Sequence, residues 1–98
     1  MLDIVEYKDL ARDASGGSIA TGAEPNLRVQ QLPVVSQSSQ SSAFVDGTTF
    51  VRVHSSEACR VAFGANPTAD ATSMRLAPNS TEFFGVRSGH KVAVIASL

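Results

Sequence analysis

The chain has no tryptophan, a single cysteine, only 6% aromatic residues and only 17% charged residues in 98 positions. Each shortage removes a class of protein. One cysteine, Cys59, cannot build an internal disulfide framework. A zinc site needs three or four closely spaced nitrogen or sulfur ligands. Only His54, Cys59 and His90 offer such donors, with no paired spacing, so no metal and no other cofactor is expected. Lysine and arginine occur singly, from Lys8 and Arg12 to Arg87 and Lys91, and the net charge is −1. Without a basic block, nucleic acid is not an expected partner. No apolar run approaches the roughly 18 residues of a membrane-spanning helix. The start, Met1-Leu2-Asp3-Ile4-Val5-Glu6, is acidic where a signal peptide is basic, so the expected starting compartment is a cytoplasm. Charge this far below the roughly 25% of an average domain suits a protein that works against another protein surface.

Catalytic patterns are equally scarce. Asp46, Glu57, Asp70 and Glu82 are isolated, which leaves two-carboxylate acid–base chemistry without a seat. Gly64-Ala65-Asn66-Pro67 lacks the lysine and helix start of a phosphate loop, and no nucleophile elbow is present. His54 and Cys59 flank a short connection and could pair as base and nucleophile if they met. Cys59 shares its strand face with Val61 and Phe63, as a small buried hydrophobe does. The chain is therefore read as non-enzymatic.

What the sequence does have is strand pattern. Ninety-eight residues make one domain at most. Ser36-Gln37-Ser38-Ser39-Gln40-Ser41-Ser42 has neither apolar nor charged residues. It reads as a flexible linker, or as an extended arm ordered against a partner. This divides the chain into an N-terminal arm over residues 1–42 and a β-domain over 43–98. In the arm, the start suits a short strand or irregular structure; Asp3-x-x-Glu6 also resembles a helix capping box. Asp13-Ala14-Ser15-Gly16-Gly17 is a turn by chemistry. Leu27-Arg28-Val29-Gln30-Gln31-Leu32 alternates between Pro25 and Pro33, which predicts an edge or docking strand. In the β-domain, strands are predicted over 48–54, 58–63, 73–76, 81–86 and 91–96. The first two and the last two are expected to pair as hairpins, through Ser55-Ser56-Glu57 and Arg87-Ser88-Gly89-His90. That places Arg52 and Arg60 on facing strands, on a solvated outer face. The fold class is all-β, a small antiparallel β-sandwich or β-barrel preceded by an extended arm. Phe83 and Phe84 are adjacent, so they point to opposite faces of their strand. One enters the core, and the other needs cover from elsewhere.

Phe50-Val51-Arg52-Val53-His54, Cys59-Arg60-Val61-Ala62-Phe63-Gly64-Ala65-Asn66-Pro67, Ser73-Met74-Arg75-Leu76, Glu82-Phe83-Phe84-Gly85-Val86 and Gly89-His90-Lys91-Val92-Ala93-Val94-Ile95 follow in order. This run resembles small virion structural proteins of tailed bacteriophages and prophages. The resemblance covers residues 43–98 and implies a head decoration (cement) protein on the capsid surface. It implies the major capsid protein as partner and a homotrimer or other homo-oligomer. Neck, tail or head-fibre-base positions are the alternatives, with a host- or carbohydrate-binding β-module behind them. The partner-binding residues expected on this reading are Leu27, Val29 and Leu32 in the arm, with Phe83 and Phe84 in the β-domain.

Overall fold

A computed structural model describes residues 1–12 and 18–97. They form an antiparallel β-sandwich with no helix among them. Ten strands occur in chain order: β1 (Leu2–Tyr7), β2 (Leu10–Arg12), β3 (Ser18–Gly22), β4 (Arg28–Leu32), β5 (Ser39–Gln40), β6 (Phe50–Ser55), β7 (Cys59–Gly64), β8 (Met74–Leu76), β9 (Ser80–Gly85) and β10 (Lys91–Ala96). One sheet runs β4-β1-β6-β9, the other β5-β10-β7-β8. The pair β2–β3 is a separate ribbon. The predicted turn at 13–17 lies outside the described residues.

Period-2 alternation builds the core. On β6, Val51, Val53 and Ser55 point inward and are fully buried, while Phe50, Arg52 and His54 point outward. The opposite layer supplies Cys59, Val61, Val92 and Val94. Val, the commonest of these core residues, fits a half-buried pleated surface. The apolar run of β10 is buried on both faces, with Ala93 as inaccessible as Val92 and Val94.

The described part of the first 42 residues supplies β1, β4 and β5 to the two sheets instead of forming a separate arm. β1 is an interior strand, paired to β4 on one side and to β6 on the other. Its Leu2 and Ile4 are fully buried in the common core. The capping-box reading fails for the same reason: Asp3 and Glu6 lie on a strand, where neighbours alternate faces. The Ser/Gln stretch is not a free linker either. Ser39 and Gln40 pair with Val94 and Ala93. The Ser41 N–H donates to the Val92 carbonyl at 2.8 Å, and the Ser41 hydroxyl accepts from the Val92 N–H at 3.0 Å. Ser38 Oγ accepts from the Ala69 N–H at 2.9 Å, which ties the 65–73 loop to β5. Short hydroxyl side chains satisfy backbone groups here as the rest of a ladder would.

The predicted strands of the second half lie where expected, but their pairing differs. β6 pairs with β1 and β9, and β7 with β10 and β8. Residues 56–58 and 86–90 therefore cross between layers instead of closing hairpins. Arg52 and Arg60 consequently lie in different sheets. Gly89 has φ +83° in the second crossing, a conformation glycine adopts without steric cost. Gly22 has a different role. A Cβ there would lie 2.4 Å from the Tyr7 ring, so only glycine lets β3 rest on that ring.

An interior β1 has a measurable consequence. Ile4→Ala is expected to lower the unfolding free energy by about 2–4 kcal/mol, the cost of a buried large-to-small change. Urea denaturation followed by circular dichroism measures it. A dispensable arm would give no change.

Candidate functional site

The two flanks of the sandwich differ, and a buried carboxylate explains one of them. Glu6 is fully buried on the inner face of β1. Its Oε2 accepts from Arg28 Nε at 2.7 Å and Gln30 Nε2 at 3.0 Å. Its Oε1 accepts from the Val45 N–H at 2.8 Å and Thr48 Oγ1 at 3.0 Å. Gln30 also holds the Ser42 backbone, accepting from its N–H at 3.0 Å and donating to its carbonyl at 3.3 Å. Arg28 Nη2 donates to the Ala43 carbonyl. Four donors from two distant segments, β4 and the 45–48 stretch, thus meet on one side chain. Burial by itself would push the Glu6 carboxyl up. The Arg28 contact, followed by Val45, Gln30 and Thr48, outweighs burial and holds it below the ordinary 4.5.

Because Arg28 and Gln30 are drawn inward, β4 presents Val29 and Gln31 outward. Val29 is 54% exposed. Leu27 is exposed at the start of the strand, beside Gly47, and Val35 is exposed beyond Pro33. Leu27 and Val29 thus lie along the β4 edge, while the Val35 carbonyl accepts from the Ala96 N–H at 2.8 Å and so sits against the other sheet. Leu32, expected among the docking residues, belongs elsewhere. It lies opposite Leu2 in the ladder and packs against the core.

The other flank carries the two phenylalanines. Phe84 turns inward, pairs with Val51, and has its ring centroid 4.9 Å from Phe63. It is a packing residue and not a free contact, which corrects its place among the docking residues. Phe83 turns outward and is 45% exposed. Its ring lies 6.0 Å from Phe50, which stacks on Tyr7 at 5.3 Å. Leu10 of the ribbon completes an apolar cleft of about 390 Å³ with Phe50, Phe83, Phe84 and Gly85. Val29 and Phe83 share one outer-face row, Val29–Val5–Arg52–Phe83, at opposite ends of it. Three strand spacings separate them, roughly 14 Å. Of the five expected docking residues, the outer surface thus keeps Leu27, Val29 and Phe83. Phe50 and Leu10 were not anticipated. The signal for Phe50 was an aromatic on the same strand face as Arg52 and His54.

His54 and Cys59 do not meet as a catalytic pair. His54 is on the outer face of its sheet, with Nδ1 2.8 Å from Thr81 Oγ1. Cys59 is buried in the core, chiefly because of which its thiol is pushed up. Among the described residues, no group of three or more His, Cys, Asp or Glu is placed to hold a metal.

Removing the Glu6 charge is expected to cost stability in a pH-dependent way. Its folded pKa is depressed, so its contribution is present above the unfolded value and is lost as pH falls through the folded one. At pH 7, Glu6→Gln should be destabilised by about 2–3 kcal/mol. The gap to the parent should narrow below about pH 4. Urea titrations from pH 7 to pH 3 measure this, and a constant gap across the range would refute it.

Comparison with known protein families, curated proteins and solved structures finds no match to this chain.

Proposed function

We propose that the chain is a non-enzymatic virion structural protein of a tailed phage, a capsid decoration protein that docks on the major capsid protein. The observation that supports this reading is the exposed apolar pair Leu27 and Val29 at the β4 edge of its sheet. Monomeric proteins usually blunt such an edge with charge or a covering segment. Here prolines fence the strand, and the exposed side chains are apolar. A foreign surface that covers the pair removes apolar area from water at about 25 cal/mol per Å². Each contact is small, and a capsid lattice multiplies it through many copies. The resemblance of the run over residues 43–98 to small virion proteins of tailed phages is what suggests the major capsid protein as the partner.

The docking surface belongs to the sandwich itself. Removing residues 1–35 would delete the interior strand β1, so point substitutions are the suitable probe. Mass spectrometry of purified particles is expected to find hundreds of copies of this chain. A dozen or fewer would indicate a neck or tail position, and its absence would overturn the reading. Val29→Asp should weaken binding to particles about tenfold, equivalent to about 1.4 kcal/mol. Binding of the parent should persist from about 0.1 to 1 M salt, because apolar contact is not screened.

A further inference from the structure

We propose that a second copy of this chain pairs with β9, edge to edge and antiparallel, with Phe83 of each copy seated over Gly85 of the other. This goes beyond the docking reading, which concerns the opposite flank. The Val86 N–H donates to the Thr49 carbonyl at 2.9 Å. In the β6–β9 register that contact turns the backbone groups of residues 82, 84 and 86 towards β6. The groups of Thr81, Phe83 and Gly85 then point out of the sheet, with no strand beyond them among the described residues. They are a free template for another strand.

The side chains select the occupant. Phe83 and Gly85 are two residues apart, so they share the outer face. An antiparallel pairing centred on Phe84 sets residue 83 opposite residue 85 of the second copy, and the reverse. Both pairs are of the hydrogen-bonded type, because both residues have free backbone groups. Gly85 is open: a Cβ there would meet nothing within 4 Å. The apolar cleft bounded by Leu10, Phe50 and Gly85 is thus a hole, and the half-exposed Phe83 beside it is a knob. One copy carries both, in the spacing that a two-fold axis requires. An aromatic ring laid across a strand glycine is also a recurrent stabilising pair in sheets.

Charge does not oppose this register. The single charge within β9, Glu82, falls opposite Val86 of the partner subunit and not opposite its own copy. Met74, exposed on the adjoining edge strand β8, adds apolar surface on the same flank. The result is one continuous eight-stranded sheet with a Phe84–Phe84 pair on its inner face.

Sedimentation equilibrium of the full chain tests the proposal. The parent is expected at twice the chain mass. Phe83→Ser removes the knob and Gly85→Val fills the hole. Each should raise the dimer dissociation constant at least about tenfold, with unchanged circular dichroism. The double variant E82C/V86C should form a covalent dimer under mild oxidation, because residues 82 and 86 face each other across the axis. E82C or V86C alone should not. A parent that stays monomeric at about 1 mM overturns the proposal. So does a dimer that survives both Phe83→Ser and Gly85→Val, or one that E82C/V86C fails to cross-link.

Discussion

A carboxylate with no exposed surface is costly unless every lone pair is met. Glu6 meets this condition with donors 22 to 42 residues away in sequence. Much of the architecture follows. β4 is held with Arg28 and Gln30 inward, so Leu27 and Val29 remain outside. The 42–48 segment is fastened to the end of the sandwich, which brings Phe44 into the core. The Ser/Gln stretch, anchored at Ser41 and Ser42, has only a short distance to cover between the layers. An apolar residue at position 6 would fill the space, but it would leave the Val45 N–H and the Arg28 guanidinium without their partner.

The clamp also explains why the flanks are unequal. On the β4 and β5 side, the crossing chain and the Glu6 donors lace the two layers together. On the β9 and β8 side nothing among the described residues crosses. Phe83 and Met74 remain exposed there, and β9 ends the sheet with unpaired backbone groups. A small sandwich whose commonest core residue is valine has little stability margin. Covering two apolar edges on other chains is consistent with that margin, and with a surface short of charge.

The second half of the chain was legible in strand positions because Val51/Val53 and Val92/Val94 alternate cleanly or form a buried run. Pairing was not legible. A three-residue link such as 56–58 suits a hairpin and a crossing between layers equally, and alternation cannot distinguish them. In the first half, the starting strand and the edge strand at 27–32 were legible, but the interior place of β1 was not, because Glu6 breaks its apolar pattern at an inward position. Its compensating donors are non-local, so no window of sequence contains both. The Ser/Gln stretch looked like a linker by composition; its hydroxyls act as backbone substitutes, which only the fold reveals. At the candidate site, the opposed directions of Phe83 and Phe84 followed from strand geometry alone. The direction of Leu32 did not, because it depends on the register that β4 takes against β1.

The central claim is that the Glu6 carboxylate makes the N-terminal strand and the 42–48 segment one cooperative unit with the sandwich. Native-state hydrogen exchange at the Val45 amide tests it most directly, since that loop N–H has the Glu6 carboxylate as its acceptor. The account predicts protection equal to that of the core amides of Val51 and Val53, lost only on global unfolding. Exchange at the rate of an open loop, while Val51 and Val53 stay protected, would contradict it.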